Sequence, residues 1–113
     1  MMEESNIIER LAALAQPTRL RAFRALVEAG EDGLSSGALA ALSATPWSTL
    51  SSHLGRLEAA GLVRSRRVSR NIIYVVEIEG MRELLTYLAQ NCCGGRPDLC
   101  GDLVPTSAAC LVD

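Results

Sequence analysis

The stretch TPWSTLSSHLGRLEAAGLVRSRRVSR, residues 45–70, decides the fold of this chain, because the period of its apolar residues changes partway along it. Three leucines in its first half recur every three or four residues, which predicts a helix that ends at Gly61. These are Leu50, Leu54 and Leu57. The residues after Gly61 are β-branched or alternate in polarity, and the run Ile72–Val76 has the same character. The two runs predict a β-hairpin whose connection, residues 68–71, is basic.

Helical patterns lie on both sides of this stretch. Thr45 and Pro46 are a capping residue and a first-turn proline for the leucine helix, and Ser35 or Ser36 begins a shorter helix before it. Two earlier helices are predicted, one capped by Ser5 and one running from Pro17 to Gly30. A last helix is predicted from about Gly80 to Asn91. The apolar residues expected to face inward in these other helices are Ile7, Ile8, Leu11, Leu14 and Ala15; Leu20, Phe23, Leu26 and Val27; Ala38, Leu39 and Leu42; and Met81, Leu84, Leu85 and Leu88. The fold class is therefore mainly α with a small β-hairpin.

Two short helices across a tight turn, followed by a basic hairpin, form a helix-turn-helix with a wing. In such pairs the second helix enters the DNA major groove. The side of the leucine helix away from its leucines carries small or hydrogen-bonding residues, and no formal charge lies between Ser48 and Gly55. An ordinary solvent-facing helix usually carries Glu and Lys, so this face favours contact with DNA. Trp47 lies nearer the apolar side, and packing is the better interpretation for it.

The charge of the chain is concentrated where DNA contact is expected. The formal net charge is −2, but residues 56–70 contain five arginines and a single acid, Glu58. A solvated basic hairpin would show the same composition, whereas a focused patch is what phosphate contact requires. The candidate DNA contacts are Ser48, Thr49, Ser51, Ser52, His53 and Arg56 on the helix, and Arg66, Arg67 and Arg70 on the hairpin. For His53, a packed and hydrogen-bonded position is an equal alternative.

Length and composition limit the remaining classes of protein. A chain of 113 residues fits one domain. Nearly half of its residues (49%) are apolar and few are aromatic, and a chain this short buries only a modest fraction of its surface, so dimerisation would bury additional apolar surface. No apolar run reaches the ~20 residues that span a bilayer, and the acidic N-terminus is unlike a signal peptide. The sequence therefore predicts a cytoplasmic protein with reduced cysteines.

Two segments carry a family resemblance. Residues 14–21, LAQPTRLR, and residues 51–63, SSHLGRLEAAGLV, resemble the signature stretches of the ArsR/SmtB family of metal-responsive repressors. The resemblance covers about residues 5–90. It implies an α-α-α-α-β-β-α winged helix-turn-helix, a homodimer formed through the first and last helices, and binding to an imperfect palindrome in double-stranded DNA.

All four cysteines lie in the last 22 residues, at Cys92, Cys93, Cys100 and Cys110. Adjacent cysteines, followed seven residues later by a third across Gly94-Gly95, allow three thiolates to surround one soft ion. As(III) and Sb(III) prefer three such ligands, so Cys92, Cys93 and Cys100 are the candidate metalloid site, with Cys110 as a fourth candidate. Cys92 also continues the apolar stripe of the last helix and would fit there as a small buried residue.

The family resemblance narrows the sensing site by elimination. One arrangement in the family places a Cys-x-Cys in the helix before the recognition helix, and here that helix has no cysteine. Another binds zinc with histidines and carboxylates on the last helix, but the sole histidine here, His53, lies in the recognition helix. The chain therefore resembles the arsenite-responsive members whose cysteines cluster after the last helix. We expect residues 1–91 to form the DNA-binding and dimerisation domain and residues 92–113 to form an inducer-binding tail. The expected inducer is a trivalent metalloid, and no permanent cofactor is expected.

Other functions fit the same cysteines. A thiol-redox repressor would release DNA on disulfide formation, and a soft divalent ion such as Cd²⁺ or Pb²⁺ would bind the same thiolates. A thiol enzyme such as an arsenate reductase is disfavoured, because the only histidine lies far along the chain from the cysteines and no general base is evident beside them. The sequence therefore predicts a regulator and no enzyme.

Overall fold

Helix ends in this chain coincide with residues that cap or terminate helices. The computed structural model describes residues 4–89, and all four cysteines lie outside them. The elements are α1 (Glu4–Leu14), α2 (Pro17–Ala29), a 3₁₀ turn (Gly30–Asp32), β1 (Leu34–Ser35), α3 (Ser36–Ser43), α4 (Trp47–Ala59), β2 (Val63–Val68), β3 (Asn71–Val76) and α5 (Ile78–Ala89). Gln16 caps α2 through a bond from the Arg19 amide, and Ser35 caps α3 through a bond from the Ala38 amide. The predicted winged helix-turn-helix order is confirmed.

The sheet has three strands within the described residues, in the order β1-β3-β2, and all of its pairs are antiparallel. In the hairpin, Val63 pairs with Val76 and Val68 pairs with Asn71. Strand β1 was not predicted, because two residues, Leu34 and Ser35, are too few to show a periodicity. It pairs with β3 and fixes the wing against the start of α3.

One core joins all five helices to the sheet. Helix α4 contributes three of the core's largest fully buried residues, and α1, α2 and α3 contribute one each. The full set is Ile7, Leu26, Leu39, Leu50, Leu54, Leu57, Leu62 and Val63. The predicted leucine stripe of α4 is thus confirmed. None of the described helices is long and apolar enough to cross a membrane.

Several local expectations were wrong. Ser5 lies inside α1 and does not cap it, and Pro46, rather than Thr45, occupies the N-cap of α4. Leu20 and Val27 are exposed, because α2 packs through Ala22, Phe23 and Leu26. Other large apolar residues expected to face inward are also exposed, and these are Ile8, Leu11, Leu42, Leu85 and Leu88.

Candidate nucleic-acid interface

Helix α4 is held to the core along one side and is open along the other. Its three leucines are completely buried. On the opposite side, the predicted contact residues Ser48, Thr49, Ser52 and Arg56 are all exposed, together with Gly55. The exposed face is therefore the predicted one, and its first two turns carry no formal charge.

Gly55 lies on this exposed face with nothing beside it. A Cβ atom built on Gly55 would meet no atom within 4 Å. The internal packing therefore does not require glycine here, although glycine costs helix stability relative to alanine. A close approach of the α4 backbone to an external surface would explain why no side chain is present.

The start of α4 contacts the wing through two aromatic rings. The ring centroids of Trp47 and Tyr74 lie 6.3 Å apart, with the planes tilted by 55°. Burial raises the pKa of Tyr74, and the nearby carboxylate of Glu58 raises this pKa further, so the phenol stays neutral. Trp47 is 38% exposed and lies outside the buried core, so the packing predicted for it is limited to this contact with Tyr74.

His53 is half-buried and faces α2. Its Nδ1 atom lies 3.2 Å from Nη1 of Arg19, and Nε of Arg19 donates to the carbonyl oxygen of Ala13 at 2.6 Å. The structure thus supports the hydrogen-bonded interpretation of His53. Ser51 is also half-buried, and its hydroxyl donates to the carbonyl oxygen of Ser48. Both residues lie at the edge of the exposed face.

The hairpin exposes its arginines. From Arg64 to Arg70 every residue is exposed, and within residues 4–89 no arginine of this segment forms an ion pair. The hydroxyl of Ser65 donates to the carboxylate of Glu58 at 3.1 Å, which ties β2 to α4. The exposed guanidinium groups of the hairpin are therefore accessible to an external anion.

The hairpin arginines do not all point the same way. Side chains alternate along a strand, so Arg67 shares the face of Ser65, which is turned toward α4. Arg66 lies on the other face, where it lines a groove of about 720 Å³ with Glu31 and Asp32. Arg67 therefore lies on the sheet face turned toward α4, Arg70 lies in the turn at the hairpin tip, and Arg66 lies on the opposite face of the strand.

No local pattern in the sequence indicates the two arginines that connect these elements. Arg19 contacts α4 from α2, and Arg10 contacts residues fifty and seventy positions away along the chain. Such contacts depend on tertiary packing and leave no local pattern. The predicted metalloid ligands lie outside the described residues, and within residues 4–89 no group of three or more metal-binding side chains is present.

A second surface is apolar. Neighbouring helices α1 and α5 expose large side chains, with Ile8 57%, Leu11 41%, Leu85 52% and Leu88 56% exposed. Isolated apolar residues on a surface are ordinary, whereas four on two adjacent helices, here called the apolar patch, are typical of a surface that mediates association.

The sequence and the fold match known regulators. The family model described as a helix-turn-helix domain matches residues 14–66. HlyU from Vibrio cholerae N16961 is 32% identical over 77% of this chain and 97% of its own, with a TM-score of 0.61. An ArsR-like transcriptional regulator from Rhodococcus sp. RHA1 is 25% identical over 86% of this chain and 89% of its own, with a TM-score of 0.68. The chain belongs to the ArsR family of winged helix-turn-helix transcriptional regulators.

Other similar structures include a reduced form and a homodimer. HlyU was also solved in a reduced form, which is 30% identical over 76% of this chain and 90% of its own, with a TM-score of 0.59. A homodimeric winged helix-turn-helix DNA-binding domain from Mycobacterium bovis has the same fold, with 23% identity over 77% of this chain and 81% of its own and a TM-score of 0.63. A search of curated protein sequences returned no significant match. Because the ArsR family consists of DNA-binding regulators, the prediction that this chain is not an enzyme is confirmed.

Proposed function

We propose that this ArsR-family protein is a cytoplasmic homodimeric repressor that binds palindromic operator DNA and releases it on binding As(III) or Sb(III). The observation that supports DNA binding most directly is the exposed face of α4, which is uncharged from Ser48 to Gly55. Arg67 lies on the sheet face turned toward α4 and has no ion pair among the described residues. Small polar side chains contact base edges or phosphates, and arginines on the wing contact phosphates.

Dimerisation follows from the apolar patch on α1 and α5. A second copy of the chain would cover Leu85 and Leu88 and place two α4 helices on one duplex. The homodimeric relative from Mycobacterium bovis supports this arrangement. Two copies related by a two-fold axis read a palindrome, because each presents the same helix to one half-site.

Sensing is assigned to the cysteines that follow α5. Cys92 and Cys93 come three and four residues after Ala89, the last described residue of this helix. An ion bound by Cys92, Cys93 and Cys100 would pull together the segment that directly follows α5, one of the two helices proposed to form the dimer. Soft thiolates select soft ions, which supports a trivalent metalloid. Coupling of this kind typically changes affinity about 5- to 150-fold.

A thiol-redox switch is the second candidate function. The observation that favours it is that HlyU, 32% identical to this chain, was also solved in a form described as reduced. Oxidation would join two of the same cysteines in a disulfide and remove them as ligands.

Titration of the reduced protein with arsenite tests the assignment. Thiolate–metalloid absorbance is followed for the wild type and for Cys→Ser variants at each of the four positions. We expect one As(III) to bind at each three-cysteine site, and serine at Cys92, Cys93 or Cys100 to abolish this binding. We also expect arsenite to release the protein from DNA under excess reductant. Cd²⁺ and Pb²⁺ are titrated in parallel as competitors. Release by peroxide alone would replace the metalloid proposal with the redox one.

A further inference from the structure

The guanidinium of Arg10 lies where three helices meet. Its Nε donates to the carbonyl oxygen of Ala60 at 2.8 Å, at the C-terminal end of α4, and its Nη1 donates to that of Gly80 at 2.7 Å, in the first turn of α5. Nη1 also lies 3.2 Å from the carboxylate of Glu83. Arg10 itself belongs to α1, so a single side chain joins all three helices.

The backbone around Arg10 is packed closely. A Cβ atom on Gly80 would collide with the carbonyl oxygen of Gly61, which begins the connection from α4 to β2. Gly61 has φ +83°, and a Cβ atom there would come within 2.9 Å of Nη2 of Arg10. The two glycines thus allow the start of α5 to rest on the end of α4, with Arg10 bonded to both.

We propose that Arg10 is a positioning residue for the recognition helix. The last carbonyl groups of a helix have no partner within it, and charged donors bind such groups strongly. By bonding to Ala60, Arg10 fixes the end of α4 relative to α1 and α5, the two helices with the exposed apolar patch. The angle at which α4 meets DNA therefore depends on a residue that does not touch DNA.

Direct contact between Arg10 and phosphate does not fit its surroundings. Its side chain is 12% exposed, and both Nε and Nη1 already donate to acceptors on other elements. The arginines of the hairpin, by comparison, are exposed and have no ion pair within residues 4–89. A positioning role also differs from a merely stabilising one, because it changes sequence discrimination in protein that remains fully folded.

The test compares Arg10→Met with the wild type on two duplexes of equal length. One is selected from a random library by the wild-type protein, and the other has random sequence. Folding is checked by circular dichroism and oligomeric state by sedimentation. We expect Arg10→Met to bind the selected duplex roughly tenfold more weakly, a loss within the range for one base contact. Affinity for the random duplex and the salt dependence should stay unchanged, since no phosphate contact is removed.

Arg10→Lys and Glu83→Gln complete the experiment. Lysine can donate to one of the two carbonyl groups, so Arg10→Lys should recover part of the discrimination. Glu83→Gln keeps both carbonyl bonds and should retain nearly all of it. Equal weakening on both duplexes, or unchanged discrimination, would overturn the proposal. If Arg10→Met does not fold, Arg10→Lys decides, with reduced discrimination supporting the proposal and unchanged discrimination overturning it.

Discussion

The Nδ1 atom of His53, on α4, lies 3.2 Å from Nη1 of Arg19, on α2. A guanidinium only donates hydrogen bonds, so Nδ1 of His53 is the acceptor when these two groups bond. Arg19 also donates to the carbonyl oxygen of Ala13, at the end of α1. The middle of the recognition helix is thereby joined to the helix that carries half of the apolar patch.

This relationship predicts coupling between the two side chains in stability. Arg19→Met and His53→Ala should each lower the free energy of unfolding, and the double variant should lose about 0.5–1.5 kcal/mol less than the sum, the net worth of a typical hydrogen bond. Urea denaturation of the four proteins measures this. His53→Asn is the matched control, because its amide oxygen can accept in place of Nδ1. Strict additivity would show that the contact contributes nothing.

Gly55 should separate stability from DNA binding. Gly55→Ala adds a methyl group in open space on α4, so we expect the free energy of unfolding to rise by about 0.5–1 kcal/mol. Affinity for DNA should fall, because the methyl group stands where the backbone approaches the groove. Gly37→Ala, also in open space on an exposed helix position, controls for the general effect of stabilisation. Unchanged DNA affinity for Gly55→Ala would show that DNA does not approach the α4 backbone at Gly55.

Arg67 should contribute affinity without sequence discrimination. Arg67→Ala should weaken binding to selected and random duplexes alike, and should lower the slope of log affinity against log salt by about 0.9 for each lost phosphate contact. Arg24→Ala removes an equally charged, exposed residue on α2 and serves as the control. We expect Arg66→Ala to have a smaller effect, since Arg66 faces the groove shared with Glu31 and Asp32. Fluorescence anisotropy at several salt concentrations provides the comparison, and an unchanged slope for Arg67→Ala contradicts the assignment.

The apolar patch should determine the oligomeric state. Leu85→Gln combined with Leu88→Gln should convert the dimer to monomer, as measured by sedimentation equilibrium, and weaken operator binding with it. Leu42→Gln changes another exposed leucine, on α3, and should leave the dimer intact. A double variant that remains dimeric would exclude α5 from the interface.

Much of the fold could be predicted from the sequence, because local signals determine it. The spacing of Leu50, Leu54 and Leu57 gave the buried side of α4, and Gly61 marked its end. Exposed leucines such as Leu85 and Leu88 could not be told from buried ones, since both continue the same apolar stripe. A helix face that packs against a second chain has the same apolar pattern as a helix face that packs against the core of its own chain.

The candidate site was predicted as a set of exposed residues but without its supports. The uncharged run from Ser48 to Gly55 and the arginines of the hairpin are visible in composition alone. The bonds from Arg10 to Ala60 and from Arg19 to His53 arise only when distant elements pack. The opposite directions of Arg66 and Arg67 follow from the alternation of side chains along β2, and the hydrogen bond between Ser65 and Glu58 shows which face of the strand is turned toward α4.

Release of DNA by arsenite tests the central claim most directly. The variant with serine at Cys92, Cys93, Cys100 and Cys110 is compared with the wild type on the selected duplex, under excess reductant and at a saturating arsenite concentration. We predict that both proteins bind the duplex equally without arsenite and that only the wild type loses affinity when arsenite is added. If the four-serine variant also releases the duplex, the cysteines after α5 are not the sensor.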